Sequence, residues 1–314
     1  MWLAPLAGVT DYAFRTMCKR MGADVLVSEM VSADGLVRNP RHSLAYAVFS
    51  NEHRPFGVQL FGSEPETLAR SVDAVLPLEP DFIDLNMGCP VKKVVNRGAG
   101  SALMRTPEKA EAIVRGVKAA LAGTGLPLDV KFRAGWDAAS ICAVDFGRRM
   151  EQAGADLLTL HPRTRAQMYD GEADWSLIAD LKRAVNVPVV GNGDVCEPQD
   201  AGRMMRQTGC NAVMVGRGVL GRPWLFAQIA SFRLTGLLED VSCKLRVECI
   251  REHYRLAVAD KGAKHAQAEM RAHLAWYTKG YPDGADVRRL IMRSKDHEEV
   301  LQAVEDLLWK NSRT

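Results

Sequence analysis

The chain has 314 residues, 47% hydrophobic and 25% charged, with a net charge of +3, values ordinary for a soluble globular protein with room for one large core and an appendage, or for two domains. The seven cysteines (18, 89, 142, 196, 210, 243 and 249) form no CxxC pair, which argues against zinc or a disulfide framework and for reduced thiols. No apolar run approaches the length of a membrane span, and Asp11, Arg15, Lys19 and Arg20 interrupt any signal-peptide layout, so a cytoplasmic protein with no membrane or metal partner is expected.

Short apolar runs recur along the chain with helical patterns between them. The first is Trp2 to Leu6, ending in Ala7-Gly8, and a helix capped by Thr10 or Asp11 follows from about Tyr12. The second is Asp24 to Glu29. The third is Phe56 to Phe61, after which Ser63, Glu64 and Pro65 start a helix. The fourth, Phe82-Ile83-Asp84-Leu85-Asn86-Met87, breaks at Gly88, and Pro90 forbids its simple continuation. Asn86 and Cys89 therefore stand where a strand hands over to a loop. That loop continues through Lys92, Lys93, Asn96 and Arg97 to Gly98-Ala99-Gly100-Ser101, and an amphipathic helix is predicted from Pro107 to Leu121. The remaining runs are Leu128 to Arg133, Asp156 to His161, Val187 to Asp194 and Ala212 to Gly218.

Eight runs, each with a helical crossover, predict a (β/α)8 TIM barrel. No GxGxxG follows the first run, which argues against a dinucleotide Rossmann unit. Beyond Gly236 the pattern changes. From Cys243 onward the sequence reads as helical, with a turn at Tyr281-Pro282-Asp283-Gly284 and a third helix from about Glu298 to Trp309. The expected division is a catalytic barrel over residues 1–240 and a small all-helical domain over 241–314. The helical segment carries 14 Lys and Arg against 11 Asp and Glu, so the whole positive surplus lies there.

In a TIM barrel the chemistry sits at the carboxyl ends of the strands. Polar residues fall at those ends with regularity: Gln59, Asn86, Cys89, Lys131, Arg133, His161, Arg163, Asn192, Asp194 and Arg217. Each has a plain structural alternative, a buried thiol or a satisfied core histidine among them. Together they imply a bound polar heterocycle. Gly191-Asn192-Gly193-Asp194 and Gly216-Arg217-Gly218 close the last two runs, where this fold usually holds a phosphate. A phosphorylated heterocycle facing Lys131 suggests FMN, with Cys89 supplying or removing a proton on the other side of the substrate space.

These segments resemble the tRNA-dihydrouridine synthases, and among them the bacterial B-type members. The resemblance runs through Ala4 to Asp11, Val58 to Gly62, Asp84 to Pro90 with Lys92-Lys93, and Gly98 to Leu103. It continues through Val130 to Asp137, His161 to Arg165, Asn192-Gly193-Asp194 and Gly216-Arg217-Gly218, and His273 to Gly280 is similar to the family's helical RNA-binding domain. The Asn-Met-Gly-Cys-Pro segment is the most specific of these. Pro162 departs from the usual glycine after the histidine, which bears on how Arg163 is presented, and the family's N-terminal lead-in is expected to be short or missing.

The resemblance implies FMN held by Pro5, Leu6 and Ala7 under the ring, by Gln59, Lys131 and His161 at its polar edge, and by Asn192, Gly193, Asp194, Gly216 and Arg217 toward the phosphate. It implies NADPH as the electron donor and a D-loop uridine of tRNA as the substrate. Cys89 would protonate C5 and Asn86 and Arg133 would contact the uracil. Lys92, Lys93 and Arg97 would meet phosphates. A neutral thiol is required of Cys89. A monomer is expected. A dihydroorotate-type dehydrogenase and a non-catalytic RNA-binding barrel are the alternatives, and the helical tail and the intact polar set respectively count against them.

Overall fold

A computed structural model describes residues 1–312; residues 313 and 314 of the expected helical domain lie outside the described residues. Among the described residues nine strands form one parallel sheet: β1 Trp2–Leu3, β2 Leu26–Val27, β3 Val31–Ser32, β4 Phe56–Phe61, β5 Phe82–Met87, β6 Leu128–Arg133, β7 Leu157–His161, β8 Val189–Asn192 and β9 Ala212–Val215. Their order is β1-β9-β8-β7-β6-β5-β4-β2, with β3 also on β4. A bridge from Trp2 to Val25 and the bond Leu3 N to Val25 O, 3.0 Å, close the ring between β1 and β2. This is the expected eight-fold barrel. The ninth strand arises because the second barrel position is split. β2 lies beside Phe56 and Gly57, and β3 lies beside Leu60 and Phe61. Between them Ser28 Oγ accepts from Gln59 N at 2.9 Å, so a side chain completes the ladder where the strand is interrupted.

The two-residue period of a strand sends alternate side chains to opposite faces. Ile83, Leu85, Val130, Phe132, Leu158 and Leu160 are buried on one face, and crossover helices such as Pro65–Val75, Pro107–Ala120 and Ala143–Ala153 supply the apolar stripes they need. On the other face, inside the barrel, the lowest layer is apolar. Trp2 and Phe82 meet there at 5.3 Å between ring centroids, and Gly57 leaves the space that the Phe82 ring fills. Above it Ala4, Val190 and Met214 pack with Leu157 and Ala212. Most of the higher inward positions are polar: Gln59, Asp84, Asn86, Asp129, Lys131, Arg133, Thr159, His161 and Asn192.

By their internal contacts the described residues form two compact units. The barrel unit comprises Met1–Asp11, Asp24–Val195 and Gln199–Gly216, and the second unit takes Tyr12–Ala23, Cys196–Pro198 and the chain from Arg217 onward. This line differs from a cut at residue 240. The helix Tyr12–Arg20 packs its buried Ala13 and Met17 into the apolar cluster of the second unit. The tail holds four helices rather than three: Cys243–Lys261, Ala263–Tyr277, Gly284–Arg293 and His297–Asn311. The additional one, Gly284–Arg293, is short and opens on a glycine, so propensity alone does not announce it. Val287, Leu290 and Ile291 at helical spacing pack it into the cluster around Ile250, Tyr254, Leu274 and Val304. Its first residue must be small, since a Cβ on Gly284 would lie 2.5 Å from Thr278 O.

Candidate active site

Cys89 stands two residues beyond the end of β5, on a loop pinned from three sides. Its N–H and that of Gly88 donate to Asn86 Oδ1 at 2.9 and 3.1 Å. Its carbonyl accepts from Ser101 N and Ser101 Oγ at 3.1 and 3.0 Å. Gly100, with φ +60°, lies against it so closely that a Cβ there would meet Cys89 O at 2.7 Å. On the far side Arg133 Nε donates to Gly88 O at 3.0 Å. The half-buried thiol is pushed above its ordinary pKa, chiefly by burial, against weaker opposing pulls from a backbone hydrogen bond at Val91 and the charge of Arg133. It is therefore a neutral thiol near pH 7, as the sequence reading required.

Asn86 belongs to a relay of amides. Its Oδ1 is engaged by two backbone N–H groups, so its Nδ2 turns to Gln59 Oε1 at 2.8 Å, and Gln59 Nε2 in turn donates to Asp84 Oδ2 at 2.7 Å. The direction of both amides is thus fixed at one end by backbone donors and at the other by a carboxylate oxygen. Lys131 stands beside Asn86 in the register of β5 and β6, and its Nζ donates to Asn192 Oδ1 at 3.0 Å. Asn192 Nδ2 is anchored on Met214 O at 2.8 Å. Burial draws the Lys131 ammonium down to about 8, with Asp84 opposing that fall.

The next loops are held by charge. Arg163 is 2% exposed. It makes a two-pronged bridge to Asp194, 2.8 Å from each nitrogen to each oxygen, and also donates to Asp170 O and Gly171 O. Pro162 does not prevent this presentation. Ala173 N donates to Asp194 Oδ2 as well, so both Asp194 oxygens serve the loop that follows β7, and Asp194 takes φ +54° to reach them. Gly193, φ +120°, approaches His161 so closely that a Cβ would lie 3.0 Å from the ring. His161 is buried at the end of β7, across from Arg133. Arg133 is buried too. Its Nη1 donates to Thr164 O and Met168 O at 3.0 and 2.7 Å, and its guanidinium lies 5.4 Å from the Tyr169 ring centroid. It ties the β5, β6 and β7 loops together.

The first loop places Pro5 and Leu6 half-buried and Ala7 exposed after β1. Leu6 N donates to Thr10 Oγ1 and Gly8 N donates to buried Glu29, which steadies the turn. Gly216 follows β9, and Arg217 opens a short 3-10 turn, Arg217–Val219, counted with the second unit. Lys92, Lys93 and Arg97 are all exposed on and after the short helix Lys92–Val95. His273 is buried in the second unit, and Trp276 packs edge-on to it at 5.1 Å.

Comparison with known proteins matches the profile of the dihydrouridine synthase (Dus) family to residues 2–312. This chain belongs to the dihydrouridine synthase family. It is 39% identical over 305 residues to tRNA-dihydrouridine synthase B of Xanthomonas axonopodis pv. citri, covering 97% of this chain and 91% of that one. It is 39% identical over 309 residues to a probable tRNA-dihydrouridine synthase of Mycobacterium tuberculosis, covering 95% and 79%. Among solved structures it is similar to a 2-naphthoyl-CoA reductase complex, with a TM-score of 0.56 at 11% identity, covering 74% of this chain and 50% of that one. At that identity the likeness concerns the fold.

The sequence reading singles out Gln59, Asn86, Cys89, Lys131, Arg133, His161 and Asn192 in this region. It missed Glu29 behind the first loop, the Asp84 and Asp129 carboxyls inside the barrel, and Thr159. Asp84 and Asp129 were legible as an inward acid at equivalent places in two adjacent runs. It also missed two cation–π contacts on one ring, with Arg105 and Arg165 4.8 and 4.7 Å from the Trp136 centroid. The residues present suit a flavin mononucleotide. Lys131, with Nζ protons beyond the one given to Asn192, offers donors to a heteroaromatic edge, and Gly193 packs so closely on Ala173 and His161 that a side chain there would displace them.

Proposed function

We propose that this chain is a flavin-dependent tRNA-dihydrouridine synthase, which reduces the C5–C6 bond of a D-loop uridine. The observation that carries this reading is a neutral thiol on a rigid loop beside a ring of polar donors, in a chain of this family. Bound here, FMN would supply hydride chemistry toward C6 of the uracil, with NADPH as the reductant. Pro5, Leu6, Ala7, Gln59, Lys131, His161, Asn192, Gly193, Asp194, Gly216 and Arg217 are the residues assigned to holding it. In this assignment Asp194 acts by fixing the loop through Arg163.

Cys89 Sγ gives its proton to C5. The raised thiol pKa suits that role, because the group must arrive protonated and release the proton only on demand. Asn86, locked by Gln59 and two backbone donors, holds the orientation of the Cys89 loop and faces the uracil. Arg133 bears on the uracil through that same loop. Lys92, Lys93 and Arg97 meet phosphates and position the RNA without reading its sequence. The uridine leaves its stack to enter the mouth, as bases do in other base-modifying enzymes. Residues 1–240 form the catalytic domain and 241–314 the tRNA-binding domain in this reading.

The test is Cys89→Ala. The variant is expected to retain a yellow flavin that NADPH bleaches, with dihydrouridine formation reduced at least a hundredfold. Undiminished dihydrouridine formation in that variant would remove Cys89 as the acid.

A further inference from the structure

A barrel interior is ordinarily filled by branched apolar side chains in layers. This one carries two carboxyl groups side by side. Asp84 on β5 and Asp129 on β6 are register partners on adjacent strands, with no exposed surface on either. Neighbouring strands run about 4.8 Å apart, so two inward side chains at one register position are in mutual contact range. Each carboxyl has one satisfied oxygen. Asp84 Oδ2 accepts from Gln59 Nε2, and Asp129 Oδ2 accepts from Thr159 Oγ1, both at 2.7 Å. The other oxygen of each, Oδ1, has no hydrogen-bond partner. Two orphan oxygens on two neighbouring buried carboxyls have one economical explanation. A single proton, carried by one and donated to the other, satisfies both and leaves one negative charge instead of two.

We propose that Asp84 and Asp129 form a shared-proton acid pair under the active site, which presents one negative charge to Lys131 and fixes the amide relay that positions Cys89. The proton belongs on Asp129. Asp84 has to be an acceptor at Oδ2, because the backbone N–H groups of Gly88 and Cys89 dictate the direction of the Asn86 and Gln59 amides that end on it. Burial pushes Asp84 up to about 7, and it pushes Asp129 well above its ordinary range with the charge of Asp84 adding to the effect. The other charged groups facing the pair are Lys131 and Arg133, above Asp129 on β6, and His161 stands at the end of β7; β4 contributes Gln59, and β1, β8 and β9 contribute apolar Ala4, Val190 and Met214. Asp84 is thus a positioning residue for Cys89, acting through Gln59 and Asn86, and Asp129 keeps it singly charged.

The pair is a property of the chain itself and rests on the dihydrouridine reading only for what it positions. The experiment is infrared spectroscopy of FMN-free protein labelled with 13C-carboxyl aspartate, together with melting temperature against pH. Near pH 8, above the value of about 7 to which burial raises Asp84, one protonated, label-sensitive aspartic C=O band is expected, lost in Asp129→Asn. The wild-type melting temperature should fall as pH rises from about 4 to about 7 relative to that variant. Asp84→Ala should leave Gln59 Nε2 without its acceptor and lower kcat for dihydrouridine at least tenfold, with KM for tRNA within twofold. Absence of the band from wild-type protein, or its survival in Asp129→Asn, would overturn the pair. The wild-type spectrum and its pH titration decide the matter even if a variant fails to fold. A wild-type band in a protein that makes no dihydrouridine would leave the pair standing and sink the functional reading instead.

Discussion

A cysteine that acts as an acid has to keep its proton until the moment of transfer, and at the residue scale Cys89 is arranged for that. Burial outweighs the neighbouring positive charge of Arg133, so its pKa lies above the ordinary value. The rate of alkylation of Cys89 by iodoacetamide should therefore still be rising at pH 9; a plateau below pH 8, measured by mass spectrometry of the Cys89 peptide, would mean a stabilised thiolate. The second residue of note is Gly100. It has φ +60°, and any Cβ there would press on Cys89 O at 2.7 Å. Gly100→Ala should cost about 1–2 kcal/mol for the left-handed backbone alone, with a further loss from displacing the loop. Dihydrouridine formation should fall by more than flavin content does, because the displaced atoms belong to the Cys89 loop; equal losses in both would point to general unfolding.

At the scale of elements, the loops after β7 and β8 are clamped by Arg163 and Asp194. Arg163 is fully buried, while the Asp194 side chain is about a third exposed. Removing one partner of a buried pair leaves the other uncompensated, at about 3–5 kcal/mol. Arg163→Ala should approach the lower end of that range because water reaches Asp194. Thermal melting of the variant against wild type gives the number, and a shift within error would show that the carbonyls of Asp170 and Gly171 hold the loop unaided. Asp194 also marks where reading along the chain fell short. An acid next to a glycine turn at the end of a strand reads as part of a ligand site, while its partner thirty-one residues earlier is invisible until the loops meet. The helix Gly284–Arg293 escaped for a similar reason, since its stability comes from packing against helices distant in sequence.

For the molecule as a whole, the acid pair makes stability depend on pH in an unusual sense. Carboxylates held in ion pairs usually have lowered pKa values and lose their contribution in acid. Asp84 and Asp129 have raised ones, so above about pH 4 the folded chain holds protons that the unfolded chain has released, that of Asp84 up to about pH 7 and that of Asp129 beyond it. Stability from this source is complete below about pH 4 and declines as pH rises through the folded value, by about 1.4 kcal/mol per pH unit for one retained proton. Denaturant melts of wild type and Asp129→Asn at pH 5 and pH 7 should therefore converge at the higher pH from a wild-type advantage at the lower one. Parallel behaviour of the two would mean that neither carboxyl retains its proton on folding.

The local sequence by itself determined the eight-fold alternation of strand and helix, the polar mouth, and the strand-to-loop handover at Asn86 and Cys89. Those features depend on short-range periodicity and on where glycine and proline interrupt it. Only the tertiary structure decided which polar groups are partners. Strand register set Asp84 beside Asp129, the closing of the ring brought Lys131 to Asn192, and loop contacts made buried ties of Arg133 and Arg163. Register and loop contact join residues tens of positions apart, and a hydrogen bond between them leaves no periodic trace in the chain that makes it.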